Sequence, residues 1–165
     1  MRHTAFIGLG SNLEHPQQQI LSGFSELEAL PDTRVTARSR LWRSAPVGYA
    51  AQPDFVNAVA RLSTGLEPEA LLDALLAIER RHGRRREFPN APRTLDLDLL
   101  LFDDRSLDTE RLTVPHPRMG SRAFVLRPLA EIAPELRIPG MGPIANLLAQ
   151  CADQNASPME TSPAP

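Results

Sequence analysis

Two carboxylates spaced two residues apart are the strongest chemical signal in the sequence. Asp96 and Asp98 lie in the run TLDLDLLLF of residues 94–102, which has the alternation of a β-strand. A strand period of two puts both carboxylates on one face, with Cα atoms ~6.5 Å apart. Oxygen ligands at this spacing can share one divalent ion or bracket two, and with phosphate partners they suit magnesium. The pattern therefore predicts a magnesium site, and the competing interpretation is a solvated strand end.

A dense group of arginines precedes this strand. Six of the 18 basic residues fall within fourteen positions: Arg80, Arg81, Arg84, Arg85, Arg86 and Arg93. Like charges at this density repel one another unless a polyanion or acidic neighbours offset them, and the alternative is a solvated basic loop. Guanidinium groups beside magnesium ligands indicate phosphoryl-type transfer from a nucleotide, because both neutralise phosphate charge.

Composition excludes several classes of protein. All 18 basic residues are arginines, so a P-loop lysine, the usual protein-kinase lysine and a Schiff base are all excluded. The net charge of −2 is not the signature of a basic nucleic-acid-binding domain. The sequence has no apolar run long enough for a membrane, and the lone Cys151 favours a reducing compartment, so we expect a cytoplasmic protein.

The periodicity of apolar residues predicts alternating strands and helices. A strand over residues 4–9 ends in a Gly10-Ser11-Asn12 turn, and further strands are predicted over 33–43, 55–62 and 94–102. Helices are predicted over 16–30, 67–82, about 119–131 and 144–151. This order gives an α+β fold in a single domain over 1–151. The tail over 152–165, rich in Ala, Ser and Pro, is predicted to be disordered.

Two polar residues stand on otherwise apolar faces. Asn57 interrupts the apolar strand over residues 55–62, and Glu79 continues the inner stripe of the second helix in its last turn. A carboxylate there is costly unless a cation or a hydrogen-bonding ligand meets it, because the helix dipole disfavours negative charge at that end. We therefore expect Glu79 either in the site or in an ion pair with a nearby arginine.

Five ordered motifs together resemble one known family. They are Gly10-Ser11-Asn12-Leu13, Gln52-Pro53-Asp54-Phe55-Val56-Asn57, Ile78-Glu79, Pro92-Arg93-Thr94-Leu95-Asp96-Leu97-Asp98 and Arg111-Leu112-Thr113-Val114-Pro115-His116. In this order they are similar to the 6-hydroxymethyl-7,8-dihydropterin pyrophosphokinases of folate biosynthesis. The resemblance implies a ferredoxin-like antiparallel sheet with helices on both faces. It also implies pyrophosphoryl transfer from ATP to the pterin hydroxymethyl group by a monomer that binds neither nucleic acid nor membrane.

The resemblance also implies a role for individual residues. Asp96 and Asp98 would hold two magnesium ions, with Arg84 and Arg93 joining them in catalysis. The ATP site would comprise Leu72, Glu79, Arg84, Arg86, Arg93, Leu99, Arg111, Thr113, His116 and Arg122. The pterin site would comprise Ser44, Ala45, Pro46, Val47, Phe55, Asn57, Asp96 and Phe124, with the two phenylalanines stacking on the ring.

Two other functions fit part of the pattern. Another magnesium-dependent nucleotidyl or phosphoryl transferase could use the same carboxylates and arginines, although only a flat heterocycle needs Phe55, Asn57 and Phe124. A noncatalytic nucleotide- or RNA-binding ferredoxin-like module would need aromatic residues on its central strands. In such a module, Asp96 and Asp98 would repel phosphate in the absence of metal.

Overall fold

One antiparallel sheet forms the centre of the fold. The structure is a computed structural model that describes residues 2–13, 15–44, 54–83 and 94–159. The main strands are β1 (His3–Ser11), β2 (Thr33–Arg38), β3 (Trp42–Ser44), β4 (Phe55–Thr64) and β5 (Asp96–Phe102). β5 and β4 flank β1, while β2 and β3 both pair with β4, at opposite ends of that strand. The predicted α+β fold with an antiparallel sheet is confirmed.

Helices cover both faces of this sheet, as predicted. α1 (Pro16–Glu28) and α2 (Pro68–Arg81) pack on one face, and α3 (Ala123–Ile132) and α4 (Ile144–Gln150) lie on the other. α1 and α2 each begin with proline, whose fixed φ suits the first turn. α2 buries Leu71, Leu75, Ile78 and Glu79 but leaves Leu72 half-buried. Within the described ranges, no helix has the length and apolar composition needed to cross a bilayer.

The β5 strand does not alternate regularly to its end. Ile7 of β1 lies opposite Leu99, but Phe6 lies opposite Leu101, so Leu100 is an extra residue in the ladder. After such a bulge, each side chain points to the sheet face opposite to the one that regular alternation predicts. Leu101 therefore packs under α3 and α4, although strict alternation predicts that it shares a face with Leu99. The carboxylates of β5 precede the bulge and keep the predicted common face.

Two other strand predictions need correction. β1 continues through Gly10 to Ser11, because both residues pair with β4, so the predicted turn begins later. The predicted strand over 33–43 is divided into β2 and β3. At the break Ser39 uses its hydroxyl to accept the Val59 N–H at 2.9 Å, while the Arg40 N–H turns to Glu131 at 2.8 Å.

The prediction that the tail is disordered is wrong for residues 152–159. Residues 152–154 form a turn after α4, and the last strand, β10 (Ala156–Pro158), pairs with β3. Four short strands make two hairpins between β5 and α4: β6 (Leu107–Asp108) with β7 (Thr113–Val114), and β8 (Arg137–Ile138) with β9 (Gly142–Pro143). Composition suggested disorder in the tail because it carries few apolar residues, but the edge of β3 supplies backbone partners for it.

Candidate active site

A cavity opens on the face of the sheet that also carries α3. It lies where that helix leaves β1, β4 and β5 uncovered. Its lining combines bare backbone, aromatic rings, an amide, a guanidinium group and two carboxylates. The lining residues are Gly8, Leu9, Gly10, Ser44, Phe55, Asn57, Ala58, Val59, Asp96, Asp98, Arg122, Phe124 and Val125.

The centre of the cavity floor has no side chains. Gly10 of β1 pairs with Asn57 of β4 and with Asp96 of β5. Gly8, two residues earlier in β1, pairs with Asp98 of β5. A Cβ atom added at Gly10 would lie 3.4 Å from the Asn57 amide oxygen and 3.9 Å from the Phe55 ring. A flat ligand can therefore contact the β1 backbone between an amide and a carboxylate.

The Asn57 side chain is held in one orientation by Ser44. The Asn57 Nδ2 donates to the Ser44 Oγ at 2.6 Å, and both side chains are buried. This bond leaves the Asn57 Oδ1 over Gly10, on the cavity side. The amide can therefore accept hydrogen bonds from the edge of a ligand that carries N–H groups.

The two carboxylates lie side by side in the cavity, and each is half-buried. The N–H of Leu97, between them on the outer edge of β5, donates to the Glu79 carboxylate at 2.7 Å. Glu79 is only 4% exposed, so its buried carboxylate fixes β5 to α2 at the point where Asp96 and Asp98 emerge. The sequence predicts a partner for Glu79, and in the structure one such partner is a backbone N–H.

The start of α3 supplies the far wall of the cavity. Phe124 is the second residue of this helix, and the Arg122 guanidinium carbon lies 5.4 Å from the centre of its ring. This distance suits a cation–π contact. The aromatic residue predicted to face Phe55 therefore lines the same cavity as Phe55.

His116 is held beside these groups as a neutral ring. The N–H of Arg118 donates to its Nδ1 at 3.2 Å, so the proton of the neutral ring lies on Nε2. Burial lowers the pKa of His116, and the positive charge of Arg122 lowers the pKa further, against the opposing effect of Asp96. At neutral pH the ring therefore offers an uncharged Nε2–H donor.

The predicted site residues fall into two groups. Ser44, Phe55, Asn57, Asp96 and Phe124 of the predicted pterin site line one cavity, with Asp98 and Arg122. The other described members of the predicted ATP site do not line it: Leu72, Glu79, Leu99, Arg111, Thr113 and His116. Most of these lie on α2, β5 and β7, elements that pack side by side.

Two of these ATP-site residues have acidic partners in the structure. Arg111 forms ion pairs with Asp73 and Glu69 of α2, and the Thr113 hydroxyl donates to Asp108 at 3.3 Å. Leu99 is buried in the core beneath α1 and α2. Six predicted site residues lie outside the described residues: Ala45, Pro46, Val47, Arg84, Arg86 and Arg93.

The role of the two glycines in the cavity floor was not predicted from the sequence. Gly8 and Gly10 are two residues apart in a strand, so they share one face, and that spacing was visible in the sequence. It was not used because Gly10 was assigned to a turn.

Comparison with known proteins supports one family. The profile of the family described as 7,8-dihydro-6-hydroxymethylpterin-pyrophosphokinase matches residues 6–134. A 2-amino-4-hydroxy-6-hydroxymethyldihydropteridine pyrophosphokinase of Pseudomonas aeruginosa is 52% identical over 151 residues, which are 92% of this chain and 93% of that protein. The protein of the same name from Haemophilus influenzae is 44% identical over 150 residues, which are 91% of this chain and 94% of that protein.

A solved structure shares the fold. The crystal structure of Plasmodium falciparum HPPK-DHPS wild type with pteroate has a TM-score of 0.71 at 14% identity. The match covers 91% of this chain and 42% of that chain, so this protein spans less than half of the Plasmodium chain. At this identity the likeness concerns the fold alone.

We expect the His116 imidazole to titrate below the ordinary histidine pKa of about 6.5. Because the folded chain then binds fewer protons than the unfolded chain, His116 should reduce stability as the pH falls through about 6.5. An NMR titration of the ligand-free protein measures the midpoint, and Arg122→Gln should move it upward by removing a nearby positive charge. A midpoint at or above 6.5 in the unaltered protein would contradict this assignment.

Proposed function

This chain belongs to the 7,8-dihydro-6-hydroxymethylpterin-pyrophosphokinase family, and we propose that it transfers pyrophosphate from ATP to 6-hydroxymethyl-7,8-dihydropterin in folate biosynthesis. The pterin hydroxymethyl oxygen attacks the β-phosphorus of ATP, and its proton passes to solvent. The bond from the β-phosphorus to the bridging oxygen breaks, and AMP leaves. The observation that carries the proposal is that one cavity joins a surface for a flat ring to two carboxylates.

The pterin lies over the bare β1 backbone in this proposal. Phe55 and Phe124 supply aromatic faces from β4 and α3, and stacked rings prefer such offset contacts. The Asn57 Oδ1 accepts from the N–H groups on the ring edge, since Ser44 holds the amide in that orientation. The hydroxymethyl group then points toward Asp96, across the strand from Asn57.

The carboxylates fit magnesium as members of a mixed ligand set. Asp96 and Asp98 offer only oxygen donors, the type that magnesium prefers. In the described ranges, no group of three or more acidic, histidine or cysteine side chains is placed to hold a metal ion. Phosphate oxygens of ATP would therefore complete the coordination of the two ions. When bound, the metal neutralises phosphate charge and polarises the reacting phosphorus.

The remaining predicted site residues contact the nucleotide in this proposal. Arg122 lines the cavity beside the carboxylates, and His116 offers an uncharged donor nearby. We assign Arg84, Arg86, Arg93, Arg111 and Thr113 to the phosphates and ribose, with Leu72 and Leu99 at the adenine. No side chain is assigned as a general base, because positioning and charge neutralisation carry most of the barrier reduction.

The enzyme acts as a monomer in the cytoplasm in this proposal. All the residues assigned to the two substrates come from one chain, so no second subunit is needed to complete the site. The single cysteine, Cys151, is buried and cannot form an intrachain disulfide, which fits a reducing compartment where ATP is abundant.

The identity of the nucleotide product tests the reaction. Protein, ATP, magnesium and 6-hydroxymethyl-7,8-dihydropterin are mixed, and the nucleotides are separated by chromatography. Attack at the β-phosphorus gives AMP and the pterin diphosphate. ADP would instead indicate transfer of one phosphoryl group, and release of free pyrophosphate would indicate nucleotidyl transfer, so either product would contradict the proposal.

We expect Asp98→Asn to lower kcat by on the order of 10³-fold, because the amide cannot replace a charged metal ligand. The matched control is Asp104→Asn, which makes the same change at an exposed carboxylate in the turn after β5. Steady-state rates at saturating substrates and melting temperatures are measured for both. If Asp98→Asn has the same kcat as Asp104→Asn, the Asp98 carboxylate has no role in the reaction.

We expect Ser44→Ala to weaken binding of 6-hydroxymethylpterin about fivefold to tenfold, the loss typical of one neutral hydrogen bond. The Asn57 amide can then rotate and turn its NH₂ group toward the ring edge. Ser39→Ala is the matched control, since Ser39 is also buried and hydrogen-bonded but does not line the cavity. Calorimetry that gives equal dissociation constants for the two variants would argue against this role for Ser44.

A further inference from the structure

The C-terminal segment, residues 152–159, contacts the wall of the cavity formed by α3. The Gln154 Oε1 accepts the N–H of Ala123 at 2.9 Å, and its Nε2 donates to the carbonyl of Ser121 at 2.8 Å. Ala123 is the first residue of α3 and lies between Arg122 and Phe124, which both line the cavity. The side chain of Arg122, at the N-cap position, makes no capping bond, so Gln154 takes over that task.

The same segment also supports the opposite wall. Ala156 of β10 lies opposite Ser44, and the Met159 N–H donates to the carbonyl of Leu41 at 2.9 Å. The Arg127 Nη1 of α3 donates to the carbonyl of Ala156 at 2.5 Å. β10 is therefore bonded to both α3 and β3, which are the elements that carry Phe124 and Ser44.

We propose that the C-terminal segment positions both walls of the pterin pocket, with Gln154 as the positioning residue for Phe124. The inference rests on the proposed function, because it concerns how that pocket keeps its shape. It assigns a binding role to a segment whose composition resembles that of a disordered tail.

The physical basis is the weakness of unsupported element ends. The first N–H groups of a helix have no partner inside the helix, and an uncapped first turn frays. Phe124 lies in that first turn, so its ring follows any movement there. β3 has only three residues and pairs with β4 on one side, so β10 supplies its other set of hydrogen bonds.

The first test compares two neighbouring side chains of the segment. We expect Gln154→Ala to raise the dissociation constant of 6-hydroxymethylpterin about threefold to tenfold, the loss typical of one helix cap. Asn155→Ala is the matched control, because Asn155 is exposed and makes no hydrogen bond with any described residue. Calorimetry without ATP gives both values. Equal affinities for the two variants would overturn the inference.

A double-mutant cycle shows whether Gln154 acts through Phe124. If it does, adding Gln154→Ala to Phe124→Ala should change the pterin affinity by less than about 1.5-fold, because the positioned ring is already absent. A merely structural loss would instead weaken both backgrounds by the same factor, and that result would overturn the positioning role.

Truncation after Asn155 tests the β10 contact separately. The shortened chain keeps Gln154 but loses the partner strand of β3, so we expect its pterin affinity to fall about threefold or more. An affinity equal to that of the full chain would overturn the role of β10.

Pterin dissociation constants test the role of the C-terminal segment, whereas AMP formation tests the proposed function. The two proposals can therefore fail separately. Full-length protein that binds no pterin overturns both. Full-length protein that makes AMP, together with a Gln154→Ala variant that binds like the control, overturns the inference alone.

Discussion

Between Asn57 on β4 and Asp96 on β5 runs a central strand that presents no side chain to the cavity at Gly10. The rest of the site depends on this bare backbone. A ligand ring can approach β1 closely only because there is no Cβ, and the pairing register then sets the amide on one side and the carboxylate on the other. In the proposed complex, strand register therefore fixes the distance between Asn57, which binds the edge of the pterin ring, and Asp96, which lies near its hydroxymethyl group.

Support for this register comes from outside the cavity. Glu79 reaches from α2 to the edge of β5 beside the carboxylates, and Ser44 holds the amide that faces them. The C-terminal segment bonds to both β3 and α3, so the two walls are joined at the back of the pocket. Each support is a hydrogen bond between two different elements, and the pairing of Ala156 with Ser44 joins the C-terminal segment to a strand more than a hundred residues earlier, so the pocket depends on the complete fold.

The sequence predicted the elements that obey simple periodicity and missed those set by tertiary pairing. The period of two predicted the strand that carries Asp96 and Asp98 and placed both carboxylates on one face. The strand pattern also singled out Asn57, while the roles of Asn57 and Phe124 in pterin binding came from resemblance to a family. The bulge at Leu100 could not be predicted, since it depends on how β1 meets β5. The order in residues 152–159 was missed for the same reason, because a three-residue strand exists only where an edge accepts it.

Binding of 6-hydroxymethylpterin to Gly10→Ala tests the central claim most directly. The added methyl group lies at ordinary contact distance from Asn57 and Phe55, so the fold and its melting temperature should be retained. It would occupy the surface on which the ring lies, so the dissociation constant for the pterin should rise about tenfold or more. ATP affinity should stay within about twofold, since Leu72 and Leu99, the residues assigned to the adenine, lie outside this cavity. Unchanged pterin affinity in the folded variant would contradict the account.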